Sequence, residues 1–186
     1  MRITRILKQY FQGMMLAAVF YSVLLVIAAG WRMFKGNPNI FIYPGVEPGL
    51  LFASPVIGII SGLVVIGISR LMLKYFEWAK SLMLEFKELL GPLSNREIFI
   101  LALSSGIAEE CFFRGVLCVE VGILWSSLIF AAVHIGPDRR YLVWTFSTFL
   151  IGLLFGWYYQ CFGDLVAPVI AHFFINYVNL KKIVSF

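Results

Sequence analysis

The chain has 186 residues, 61% of them hydrophobic and only 13% charged, with a net charge of +5. A soluble domain carries roughly 25% charged residues, and no soluble fold of this size hides so much apolar surface, so lipid must solvate most of it. The basic excess falls in small groups between apolar runs, which marks membrane topology and excludes a nucleic-acid footprint; the odd number of cysteines, Cys111, Cys118 and Cys161, argues against a disulfide framework.

A helix needs about 20 mostly apolar residues to cross a bilayer. The first such run, Gly13 to Met33, follows the basic stretch Met1 to Lys8. It is too long for the apolar region of a signal peptide and has no clear small-residue cleavage site behind it, so it reads as a retained first helix. Gly36, Pro38, Pro44 and Pro48 break the loop that follows. Gly49 to Leu73 is the second run. Lys74 to Leu90 alternates Lys and Glu with Trp78, Leu82 and Phe86, the pattern of an amphipathic helix at the interface or of a solvated linker helix. Four more runs follow: Glu97 to Cys118, the shorter Val121 to Ile135, Tyr141 to Cys161, and Leu165 to Leu180. Gly122, Gly136-Pro137 and Gly163 mark the turns between them. Cys111 and Cys118 are seven apart and suit small packing positions on one helix face.

The expected fold is an all-α integral membrane protein of about six transmembrane helices. Both termini face the cytoplasm, an amphipathic connector joins spans two and three, and 1–186 form a single domain with its chemistry in about 97–182. The expected partner surface is the bilayer, with no nucleic acid, and the expected site is the multi-pass inner membrane of a prokaryote.

An ionisable side chain inside a bilayer is disfavoured by about 2.5–3.5 kcal/mol on insertion scales, so those that persist point to function. Span three holds Glu109, Glu110 and Arg114. Span four ends with His134, and span six holds His172 and Asn176. His134 and His172 are the only two histidines in the chain. Glu110 and Arg114 are four apart and share a helix face, so they can pair. Glu109 points about 100° away and has no partner on its own helix. His172 and Asn176 can face one pocket, and Phe130 can pack beside His134. Counted from the predicted cytoplasmic ends, Glu109 and His134 should differ in depth by roughly 10–15 Å. A single intramembrane histidine or Glu–Arg pair is as readily a packing device. Together they form a base, a proton carrier and hydrogen-bond donors, the equipment for activating water.

Glu109-Glu110-Cys-Phe-Phe-Arg114, Phe130-x-x-x-His134 and His172-x-x-x-Asn176 occur in that order, each on an apolar segment. The set resembles that of the CPBP intramembrane proteases, the family that includes the CAAX prenyl endopeptidases and the bacterial Abi proteins. The resemblance implies an endopeptidase acting near the C-terminus of a membrane-anchored protein. By the same resemblance Glu109 is the general base on water, assisted by His134; His172 and Asn176 stabilise the oxyanion; Glu110 and Arg114 hold the site in shape. It also implies a glutamate mechanism without a cofactor. The alternative is zinc held by Glu109, His134 and His172, although the HExxH helix motif is absent. Two other functions compete: an Abi-like immunity or scaffold protein with little turnover, and a small proton-coupled transporter, against which the absence of an internal repeat counts.

Arg114 apart, twelve of the fourteen Lys and Arg, in the loops or near the span ends, fall on one side under this arrangement, which places that side in the cytoplasm. Reporter fusions at Asn37 and Phe186 test it: a cytoplasmic signal is expected at Phe186 and an external one at Asn37, and the reverse at Phe186 would overturn the arrangement.

Overall fold

The computed structural model describes residues 2–47 and 53–186, with side chains described for 13–47 and 53–186. The side chains of Arg2, Arg5 and Lys8, and the stretch from Pro48 to Phe52 with the start of the second apolar run, lie outside the described residues. The described chain is helical: α1 (Arg2–Phe34), α2 (Ala53–Tyr75), α3 (Glu77–Leu90), α4 (Asn95–Phe112), α5 (Val119–Ala132), α6 (Tyr141–Phe162) and α7 (Val166–Ser185). A π-helical turn, Phe113–Cys118, joins α4 to α5. The strand pairing among the described residues is one isolated bridge between Ile42 and Asp164.

Four stretches among the described residues are long and apolar enough to cross a bilayer: Gly13–Phe34, Ala53–Tyr75, Asn95–Ala132 and Tyr141–Phe162. Their outward faces carry exposed Val26, Phe34, Leu63 and Phe146, which water would not tolerate in such numbers and lipid solvates. The protein is a multi-pass membrane protein.

The third stretch, 38 residues long, is two helices. Gly122 has φ 84° and ψ 169°, a conformation essentially restricted to glycine. The rings of Phe113 and Phe130 lie 4.9 Å apart, whereas 17 residues of straight helix would separate them by about 25 Å. The chain therefore turns back at Gly122, where the sequence places the boundary between runs three and four.

α7 is packed between α2 and α4. A Cβ added to Gly58 would stand 2.7 Å from the Ala167 carbonyl oxygen, so α2 approaches the α7 backbone as closely as the absence of a side chain allows. At the start of α7, Asp164 accepts from the Ser54 hydroxyl at 2.9 Å and from the Val166 amide at 2.8 Å, satisfying a helix-end donor and fastening α7 to α2. At the start of α4, Ser94 and Glu97 form a reciprocal capping box.

α3 buries Ala79, Leu82 and Met83 and presents its charges outward, so it packs on the bundle and is not a solvated linker. Its Glu85 accepts from the Tyr141 hydroxyl at 2.9 Å, and its Ser81 accepts from Arg140 Nη1 at 2.8 Å. These bonds draw α3 over the end of the bundle at which α6 begins.

Any side chain at Gly122 meets open space but an unfavourable backbone, so Gly122→Ala should lower stability by about 1–3 kcal/mol. Gly30→Ala, in an open helical position, should leave it unchanged or raise it. Thermal unfolding of both variants in detergent checks this.

Candidate active site

The bend at Gly122 sets the depth of the first two groups. Glu109 lies 13 residues before it and His134 lies 12 after it, which puts them about 20 and 18 Å from the bend. The difference in depth expected from the sequence is thus absent: depth is set by distance from the shared turn, not from the two ends of each span.

Glu110 is fully buried and one of its oxygens serves two partners. Its Oε1 accepts from Arg114 Nη1 at 3.0 Å and from His172 Nδ1 at 2.7 Å. A carboxylate paired with a guanidinium cannot donate, so His172 carries a proton on Nδ1 and turns Nε2 the other way. That Nε2 lies 3.8 Å from Glu109 Oε2, an oxygen that is buried and accepts no hydrogen bond among the described residues. The Arg114 guanidinium lies over the rings of Phe130 at 4.4 Å and Phe155 at 5.4 Å, so α5 and α6 both clasp the pair formed within the α4 segment.

His134 follows the end of α5. Its Nδ1 is bonded to the Phe130 carbonyl at 2.6 Å, which leaves Nε2 as a proton acceptor. Its ring lies against Phe130 at 4.6 Å and Trp144 at 5.2 Å. Asn176 donates through Nδ2 to Ser105 Oγ at 2.8 Å, and Ser105 donates to the Ala102 carbonyl at 3.1 Å. That chain of bonds orients the Asn176 amide and leaves its second N–H hydrogen uncommitted.

Glu109, His134, His172 and Asn176 all line one cavity of about 520 Å³, together with Ser105 and Tyr21. Glu110 and Arg114 stand behind it. Sequence reasoning overlooked Ser105 and Tyr21. Ser105 lies four residues before Glu109 and so on its face, but Ser104-Ser105-Gly106 reads as ordinary small-residue packing. Tyr21 sits alone in the apolar α1, with no spacing to single it out. The paired cysteine positions, Cys111 and Cys118, are both buried, while Cys161 is exposed.

Among the described residues no group of three His, Cys, Asp or Glu converges as a metal site would require. Each histidine commits Nδ1, His172 to Glu110 and His134 to the Phe130 carbonyl, and keeps Nε2 for other partners.

Residues 93–178 match the family model described as Type II CAAX prenyl endopeptidase Rce1-like. Over 95 residues, 50% of this chain, the sequence is 38% identical to YpbD, an uncharacterized protein of Bacillus subtilis (strain 168), of which the match covers 48%. The chain thus spans about half the length of that curated relative. No solved structure matches the chain.

Removing one partner from a buried ion pair leaves an uncompensated charge, at about 3–5 kcal/mol. Arg114→Ala should therefore lower both the yield of folded protein and its thermal midpoint in detergent, since Arg114 and Glu110 are buried almost completely. A midpoint equal to that of the wild type would contradict a structural pair.

Proposed function

We propose, from the match of residues 93–178 to the Rce1-like CAAX prenyl endopeptidase family model, that the protein is an intramembrane endopeptidase. Its substrates are the C-terminal segments of membrane-anchored proteins, and it acts in the inner membrane of a prokaryote. The observation that carries the reading is the meeting, in one cavity, of a carboxylate with a buried oxygen that accepts no hydrogen bond among the described residues, two histidines with fixed rings and an oriented amide.

The chemistry follows from that placement. Glu109 accepts a proton from a water molecule whose oxygen attacks the scissile carbonyl, and His134, with Nε2 as acceptor, orients that water and shares the proton. The carbonyl oxygen becomes an oxyanion and is held by His172 Nε2–H and the free Asn176 N–H. When the carbon–nitrogen bond breaks, the proton taken from water passes to the leaving amine. Donation from Nε2 requires His172 as imidazolium, which Glu110 supports from the other side. Glu109, Glu110, Arg114 and His172 then sum to zero charge; when Glu109 takes the proton they sum to +1, and the oxyanion restores the total to zero. An apolar site can carry such a shift without taking on net charge. No metal is needed for any of these steps.

Glu109→Gln keeps the shape and removes the base. It should abolish turnover while leaving folding and thermal stability intact. Asn176→Ala should slow turnover by about 10²–10³, the usual effect of losing one oxyanion donor. The assay is cleavage of a synthetic library of membrane-anchored decapeptides, prenylated and unprenylated, in liposomes. Full activity in Glu109→Gln would sink the mechanism, and chelator-sensitive turnover restored by zinc would replace it with metal chemistry.

A further inference from the structure

α7 carries a third polar side chain on the face it turns to the cavity. His172, Asn176 and Asn179 stand at i, i+4 and i+7, and all three line it. His172 is held by Glu110 and Asn176 by Ser105. Asn179 is held by nothing: its Oδ1 is buried and has no hydrogen-bond partner among the described residues. Toward this end of α7 the cavity wall is formed by Leu180 and Ile183 of α7, Met72 and Leu73 of α2 and Leu90 of α3, with Ser69 of α2, whose hydroxyl donates to the Val65 carbonyl at 3.0 Å. Packing alone favours a leucine here, because a buried amide oxygen without a partner is unfavourable.

The spacing says what would satisfy it. Asn176 and Asn179 are three residues apart, so their Cα atoms differ by about 4.5 Å along the helix axis. An extended peptide advances about 3.4 Å per residue. A peptide whose scissile carbonyl is held at Asn176 therefore presents its main chain to Asn179 one or two residues further along. A helical substrate has its N–H groups already bonded, whereas an extended one offers a free N–H to a waiting carbonyl oxygen.

We propose that Asn179 is a substrate-binding residue whose Oδ1 accepts a main-chain N–H of the substrate, one or two residues from the scissile bond toward the C-terminal end of α7. The substrate is accordingly bound as an extended strand, read through its backbone at that point. This rests on the peptidase reading given above.

The test takes the fastest-cleaved peptide of the decapeptide library and replaces its amides one at a time by esters, which removes one N–H each. Wild type should show one position within two residues of the cut where the ester lowers kcat/KM by about 5–30-fold, the range that a lost hydrogen bond implies. In Asn179→Leu that sensitivity should vanish, and the thermal midpoint should be equal or higher. An ester profile identical in wild type and variant would overturn the proposal. A lowered midpoint with an unchanged profile would also overturn it, and would place Asn179 with Arg70, whose Nη1 is likewise unpartnered and whose Nη2 donates to the Val178 carbonyl at 3.2 Å. Absence of any Glu109-dependent cleavage by wild type would overturn the peptidase reading itself, which distinguishes the two failures.

Discussion

The arrangement depends on one oxygen atom. Glu110 Oε1 holds Arg114 and His172 at once, and through them it joins α4 and the π-helical turn to α7. Arg114 in turn lies against aromatic rings of α5 and α6. Five helical segments thus meet around one carboxylate. An ion pair buried in this way adds little net stability compared with apolar packing. Its value here is geometric: with Nδ1 fixed, the His172 ring has one orientation, and Nε2 faces Glu109.

Local backbone features make that meeting possible. The π-helical turn begins directly after Phe112, and the Phe113 amide is shared between the carbonyls of Glu109 and Glu110. A widened turn of this kind is characteristic of functional segments. The glycine bend then returns the chain so that Phe130 reaches Arg114 and His134 reaches the level of Glu109. The distance along α4 and the distance back along α5 are nearly equal, and this equality aligns the two groups without any long-range contact.

Much of this could be read from the residues. Charged side chains in an apolar stretch stand out, so Glu109, Glu110, Arg114 and the two histidines could be found by their setting, and Gly122 announced the turn. The depth of His134 could not be read, because counting from the ends of a span assumes that each helix crosses the bilayer fully. α5 does not need to, since its position follows from the bend. Ser105, Tyr21 and Asn179 were illegible for a different reason. Uncharged polar residues are common at helix contacts in membranes, and only the cavity distinguishes those that face it. The amphipathic pattern of α3 showed its apolar face but not what that face covers, which Tyr141 and Arg140 of the α6 end decide.

α5 itself bears on how the protein is made. At 14 residues it is shorter than the roughly 20 that hold a helix across the hydrocarbon core unaided. Its seam with α6 is tight: a Cβ added to Gly152 would stand 3.0 Å from that of Ser127, so lipid has no place between them. During synthesis α5 leaves the ribosome before the helix that shelters it. Its residence in the membrane is completed only when α6 arrives, and the cavity only when α7 follows. A nascent chain therefore carries Glu109 before His134, and these two meet His172 and Asn176 in one cavity only once α7 is in place.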